Sequence, residues 1–344
     1  MGFSPHKVLV IRFSALGDVI LVTGALDALR TRYPKAKIHF VVREDCAAVL
    51  QGQPYIDRIW ILPRKAGLRG LCELGTKLRA ERFDVVYDAH RSLRSRLLVP
   101  LVRASKVLRY RKNYLRRFLY LRFGLPTLRH TPPFRELHVQ SLAPIDIHFA
   151  RPTRLVANTT GIANAKKKLP LLATGRRRLA VAPSAAWPLK RWPLAHFRSI
   201  LESMVAADPT VDIVVLGGPA DTFCADLVQG LPADRVASAQ GIFTLEESFA
   251  ALAECDGLLA NDTGLAHAAE ALGKPAVFLF GPTTPTIGVR PQHPRSRVAE
   301  RALWCRPCSK HGKGDCWRGD HACLRELQPS EVLPMIREML ELST

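Results

Sequence analysis

The sequence predicts an α/β protein made of two doubly wound parallel sheets. Three observations predict it. The 344 residues are about twice the length of a common domain. Short apolar runs bounded by turns alternate with helical stretches through both halves. The runs are near-continuous, as in strands covered on both faces. With 47% hydrophobic residues, each half can bury a core of its own.

In the first half, Lys7 to Phe13 (KVLVIRF) reads as a strand and Ser14 to Asp18 as a turn. Val19 to Arg32 is a helix stopped by Pro34. Strands are expected at Ile38 to Val42, Ile59 to Leu62, Asp84 to Asp88 and Val107 to Tyr110, with a helix at Gly70 to Glu81. Arg151 to Arg178 breaks the rhythm with Asn158-Thr159-Thr160-Gly161, three lysines from Lys166, Pro170 and three arginines from Arg176, and reads as a linker or loose surface segment. The alternation then resumes. Strands are expected at Leu179 to Pro183, Val211 to Leu216, Gly257 to Ala260 and Ala276 to Phe280. Helices are expected at Leu194 to Val205, Leu245 to Ala253 and Leu265 to Leu272. These elements give a first domain over 1–155, a linker over 156–178 and a second domain over 179–329. The last helix, within 330–344, is amphipathic and could pack back on the first domain.

The formal net charge is +20, and it is concentrated. From Ala89 to Ile200 there are 24 Lys and Arg against two acids, Glu136 and Asp146. Such a block points to an anionic partner: nucleic acid, an acidic membrane surface or an acidic glycolipid. No window reaches the roughly 18 apolar residues of a membrane span, and no targeting segment is visible, so a cytoplasmic protein is expected.

Three constellations carry chemistry. Asn261-Asp262-Thr263-Gly264-Leu265-Ala266-His267 lies between a strand and a helix. Free N–H groups and the positive dipole end at a helix start bind anions, and Gly264 admits close approach. The plainer role for Asp262 and Thr263 is a helix cap. His267, four residues past Thr263, can reach a phosphate or ribose, or be structural. Ser184 to Pro193 (SAAWPLKRWP) follows the first strand of the second domain. Ser184 can donate to a phosphate oxygen, Lys190 supplies a point charge, and Arg191 is its alternative. Trp187 and Trp192 can stack on a ring or cover a core edge. In the first domain, Asp18 at a strand-to-helix turn can act as a general base or as an N-cap.

Near the C-terminal end, Cys305-x2-Cys308-x7-Cys316-x6-Cys323 has the look of a tetrathiolate site, which would take a structural Zn or Fe. The second spacing departs from the usual ligand pattern; free thiols and disulfides are the alternatives.

Three separated motifs resemble the heptosyltransferases of glycosyltransferase family 9: VLVIRFSALGDVILVTGAL, APSAAWPLKRWP and NDTGLAHAAEALGKPAVFLFGPTTP. The late cysteine pattern recurs in that family too. The resemblance implies a GT-B fold, two Rossmann-like domains facing a central cleft. It implies inverting transfer of a heptose from a nucleotide-diphosphate donor, usually ADP-heptose, to a lipopolysaccharide inner-core acceptor, with no catalytic metal. On that reading Asp18 is the catalytic base, while Ser184, Lys190, Asp262, Thr263, Gly264 and His267 hold the donor. Arg91 and Arg94, just past the strand ending at Asp88, are expected to meet the anionic glycolipid acceptor. The basic block would give peripheral contact with the cytoplasmic face of the inner membrane.

Two other classes stand beside it. A nucleotide-sugar epimerase on the same fold would have no use for an acceptor surface. A nucleic-acid-binding protein with a cysteine knuckle would use the aromatics Tyr110, Tyr114, Phe118, Tyr120 and Phe123, which interleave with arginines, but leaves Asp18 and the Asp-Thr-Gly turn unexplained.

Overall fold

The computed structural model describes residues 4–125, 127, 128, 132–287 and 289–342. The chain divides into two compact units, residues 1–113 with 132–156, and residues 114–131 with 157–344.

The first unit runs β1 (Lys7–Ile11), α1 (Leu16–Arg32), β2 (Lys37–Arg43), β3 (Arg58–Leu62), α2 (Gly67–Ala80), β4 (Val85–Asp88), α3 (Leu93–Val102) and β5 (Lys106–Arg109). The chain then forms α4 (Tyr114–Phe123), which groups with the second unit, and α5 (Phe134–Leu142), which returns to the first. The five strands are parallel in the order β3-β2-β1-β4-β5. Val8 to Ile11 are fully buried, as a strand covered on both faces requires. On α2, Leu71, Leu74 and Leu78 recur at helical spacing and fill the core beside Leu9, Ile11 and Val86. Gly24 on α1 is required by close approach: a Cβ there would lie 2.6 Å from the Arg151 carbonyl oxygen.

The second unit continues with α6 (Thr159–Lys168), β6 (Arg177–Ala182), α7 (Leu194–Ala207), β7 (Val211–Val215), α8 (Phe223–Val228) and β8 (Val236–Ser238). It closes with α9 (Leu245–Ala253), β9 (Gly257–Asn261), α10 (Gly264–Ala271), β10 (Ala276–Phe280), β11 (Arg297–Glu300), α11 (Ala322–Arg325) and α12 (Pro329–Met339). Its sheet is also parallel, in the order β11-β10-β9-β6-β7-β8.

Three boundaries differ from the sequence expectation. The segment read as a loose linker holds α6, which starts with the Asn158 side chain capping the Thr160 N–H at 2.9 Å and packs on α9. Lys168 there pairs with Glu247 at 2.7 Å. Its polar composition hid a short stripe, Gly161 and Ala165, that suffices to seat one helix on another. The last helix spends its apolar side on its own unit: Val332, Ile336, Met339 and Leu340 enter the core of the second sheet. The arginine-rich Tyr114–Phe123 is helix α4.

Candidate functional site

In a doubly wound sheet, ligands bind at the carboxyl ends of the strands where the winding reverses. In the second unit the chain winds from β6 outward to β7 and β8, then returns to β9 beside β6. The loops after β6 and β9 therefore meet at the reversal. The residues ending these strands tie the loops together. Buried Asn261 donates from Nδ2 to the Pro183 carbonyl at 2.8 Å and accepts the Trp192 N–H at 3.0 Å.

Lys190 ends a 3₁₀ turn, Pro188–Lys190. Its Nζ donates to the Asp262 carboxylate at 2.5 Å and to the Asp262 carbonyl at 3.0 Å. The Thr283 hydroxyl donates to the same carboxylate at 2.8 Å. The two side chains are only 16% and 9% exposed. Burial alone would push the Asp262 carboxyl up. The charge of Lys190, then that of nearby His267, and the hydrogen bonds from Lys190 and Thr283 outweigh it and hold the carboxyl below its ordinary range. The pair spends two of the three ammonium N–H bonds and aims the third.

Around this pair lie hydroxyls in want of a partner. Thr263 is the N-cap of α10, yet its hydroxyl makes no cap bond; it is buried and, among the described residues, unsatisfied. The buried Thr284 hydroxyl is equally unsatisfied. The Ser184 oxygen, buried without a standard hydrogen bond, faces the Cys224 thiol. Burial and then Asp221 push that thiol up to about 12, and Ser184 pulls it back. Unsatisfied buried hydroxyls cost about 1–3 kcal/mol each, and Thr263 stands at the start of an eight-residue helix whose first N–H groups lack helical partners. Such a site suits an oxyanion.

The structure separates the remaining sequence candidates. His267 is buried on α10 against Phe278, ring centroids 5.6 Å apart. Arg191 turns its Nε to the Ala185 carbonyl at 2.9 Å and braces the loop, so Lys190 is the central cation. Trp192 is a core residue whose indole N–H reaches the Leu327 carbonyl at 2.9 Å. Trp187 is half-exposed, with Lys313 over its ring at 5.8 Å.

The cysteine segment proves to be a buttress. Cys305, Cys308, Cys316 and Cys323 are free thiols, and burial, then the nearby Cys305 and Cys316, pushes the Cys308 thiol up. Burial is the larger cause, and it pushes Cys323 up to about 11. Among the described residues, no three His, Cys, Asp or Glu side chains form a group that could hold a metal ion. Cys323 faces the hydrophobic core, and Arg318 addresses Cys305 at 3.9 Å. What the segment does hold is the two ligand loops. Cys308 and Ser309 N–H groups both donate to the Pro282 carbonyl, at 3.1 and 3.3 Å. The buried Arg306 guanidinium donates to the Gly281 and Thr283 carbonyls at 2.5 and 2.9 Å. His321 Nε2 meets the Leu189 carbonyl at 2.8 Å. Gly312, at φ 74°, lies so close to Lys190 that a Cβ would come within 2.7 Å of its Cγ. Sequence reasoning missed Arg306 and Gly312 as parts of this site, because a buried arginine bonding to loop carbonyls and to Glu300 leaves no spacing signature. Among these four, alkylation of the native protein is expected to label half-exposed Cys305 and Cys316 first and Cys323 last, after the exposed Cys72 elsewhere in the chain, as peptide mass spectrometry of partly labelled protein can check.

The first unit repeats the logic. Its winding reverses between β1 and β4. Asp18, in the first turn of α1, follows β1; His90 and Arg91 follow β4. Arg12 joins the two sides: its guanidinium bonds the Ala89 carbonyl at 2.8 Å and the Ser14 carbonyl at 3.0 Å, and it forms an ion pair with Asp18 Oδ2. Asp18 stays partly exposed, so Oδ1 is left to accept a proton. His90, which the sequence reading assigned no role, accepts the Phe13 N–H at Nδ1, 3.2 Å, which places the ring proton on Nε2. Burial first, then Arg12 and Lys112, lowers it to about 3, so the imidazole is neutral at physiological pH. Its folded value lies below the free value of 6.5, so its contribution to stability is present above about pH 6.5 and is lost as pH falls toward 3. His90→Gln is expected to flatten the pH dependence of the urea midpoint over that interval.

The two acceptor candidates part company. Arg91, at φ 51°, gives its backbone N–H to Asp88 at 2.8 Å and its guanidinium to the Tyr110 carbonyl at 3.1 Å. Arg94 is exposed on α3.

Two parallel doubly wound units in one chain are the GT-B architecture. The model of glycosyltransferase family 9 (heptosyltransferase) matches residues 71–315. The chain belongs to that family. It is 25% identical to lipopolysaccharide heptosyltransferase 2 of Salmonella typhimurium, over 97% of this chain and 98% of the relative. Among solved structures, a family 9 glycosyltransferase from Veillonella parvula superposes with a TM-score of 0.80 at 22% identity, covering 99% of each chain. The ADP-heptose lipopolysaccharide heptosyltransferase II of Escherichia coli superposes with a TM-score of 0.73 at 21% identity, covering 97% of this chain and 98% of that one.

Proposed function

We propose that the chain transfers a heptose from ADP-heptose to an acidic lipopolysaccharide inner-core acceptor, with inversion at the anomeric carbon. The observation that carries this reading is the buried Lys190–Asp262 pair set among unsatisfied hydroxyls at the start of α10. The site offers a cation, hydroxyl donors and helix N–H groups, which is what a departing diphosphate needs.

Asp18 Oδ1 takes the proton from the acceptor hydroxyl as its oxygen bonds to the anomeric carbon. The bond from that carbon to the donor phosphate oxygen breaks, and the nucleoside diphosphate leaves with the electron pair. Lys190, Thr263, Thr284, Ser184 and the N–H groups from Gly264 onward receive the developing charge. Asp262 and Thr283 do not meet the ligand in this scheme; they position Lys190. Arg12 orients Asp18.

Incubation with ADP-heptose, with and without a truncated inner-core lipid, tests the reading. Heptosylated lipid by mass spectrometry supports it. Sugar epimerised in the absence of acceptor would show the rival epimerase chemistry instead, and no reaction with any inner-core lipid would defeat the acceptor class.

Within the basic block, the exposed Arg94 is assigned to the acceptor. Arg94→Ala is expected to raise the acceptor KM and flatten its salt dependence, with the donor KM unchanged, because exposed charges are screened. Arg91→Ala is expected to lower thermal stability as well, since it holds the β4–α3 loop to Tyr110. Steady-state kinetics at two ionic strengths separates the two, and an equal loss for donor and acceptor in Arg94→Ala would overturn the assignment.

A further inference from the structure

Helix α4 has no buried residue. Its sequence, YLRRFLYLRF, pairs an apolar surface with arginines and carries no acid. Leu115 is 70% exposed, Phe118 57% and Phe123 59%, and Leu125 just beyond is also exposed. Phe118 and Phe123 meet edge to face at 6.1 Å, and Arg122 lies over Phe123 at 5.7 Å. Arg116 and Arg122 are exposed, while Arg117 is tied down by the Ile287 carbonyl at 3.0 Å. Exposed apolar clusters mark interaction sites more often than ordinary soluble surface.

We propose that α4 is a membrane-surface docking helix, which lays Leu115, Phe118 and Phe123 into the headgroup–acyl boundary of an anionic bilayer while Arg116 and Arg122 bind lipid phosphates. Interfacial helices have this composition: aromatic and aliphatic residues on one side, arginines around them. At ten residues the helix is about 15 Å long and cannot cross a bilayer; it can only lie on one. The exposed leucines choose the bilayer over nucleic acid, since a leucine enters acyl chains but does not stack on a base. The arginines choose it over a second copy of this chain, since two such faces would repel. The inference stands apart from the transferase reading, because it rests on the exposure and charge of α4 alone.

Flotation with phosphatidylcholine vesicles, and with equimolar phosphatidylcholine and phosphatidylglycerol vesicles, tests it. The protein is expected to float with the anionic vesicles only. Arg116→Gln with Arg122→Gln should weaken binding by about fivefold per arginine. Phe118→Ser with Phe123→Ser should weaken it further, with the melting temperature of both variants and transfer to a water-soluble acceptor fragment unchanged. As a direct readout, the difference emission between Phe118→Trp and the parent protein should shift to the blue on anionic vesicles. No flotation, equal flotation with both vesicle types, or an unshifted difference spectrum overturns the proposal. So does binding of single-stranded RNA without vesicle binding, or a dimer in sedimentation that the Phe118→Ser, Phe123→Ser variant abolishes.

Discussion

Asp18→Asn is expected to slow transfer by about 10²- to 10⁴-fold while leaving ADP affinity at the wild-type value, since general-base catalysis is typically worth that much. The amide keeps the size of the side chain and loses the basic oxygen. The fold should hold, because Arg12 retains the Ser14 and Ala89 carbonyls when its carboxylate partner is gone. Turnover, calorimetric ADP titration and thermal melting on the same preparation decide the matter. Near-normal turnover with unchanged stability removes Asp18 from the mechanism.

Lys190→Ala is expected to fail twice. Loss of a charge-assisted contact worth about 1.5–3 kcal/mol should weaken ADP binding by roughly 10- to 150-fold. Asp262 would be left as an uncompensated buried charge, which typically costs about 3–5 kcal/mol of stability. The double variant Lys190→Ala with Asp262→Ala should recover part of the stability and none of the ADP affinity. A single variant that melts and binds ADP like the parent would show that the pair is not the donor site. The pH dependence follows from the same pair. The folded-state carboxyl of Asp262 lies below its free value, so its contribution is present above the unfolded pKa, near 4 in ordinary aspartate, and fades as pH falls through the lower folded value. Asp262→Asn should therefore lose less stability on acidification, by urea titration at stepped pH.

Most of the frame was legible in the sequence, because buried parallel strands announce themselves as apolar runs. Ala276–Phe280 and Leu245–Ala253 have the expected bounds. Edge strands are less apolar: Val236–Ser238 has three residues and Arg297–Glu300 carries two charges, and both were missed. Helix α1 begins at Leu16, ahead of the expected Val19, because a glycine-containing turn conceals its first residues. The site was legible as residues and illegible as relations. Lys190 and Asp262 were both identified as ligands of the donor, yet their bond to each other depends on the sheet order, and no local pattern reports that. His90, Arg306 and Gly312 acquire their roles from neighbours 77, 25 and 122 positions away.

That sheet order has a consequence for how the molecule comes into being. Asn261 meets Pro183 across 78 positions of chain, and Phe13 meets His90 across 77. Each pocket is thus closed by contacts that join the first strand of a unit to the strand that follows its reversal. Such closures carry the entropy of a long loop and form slowly. A growing chain must emerge past Thr263 and Thr284 before the proposed donor site can form. On that reading nucleotide binding reports the β6–β9 crossing, and ligand added during refolding is expected to trap only chains that have already made it.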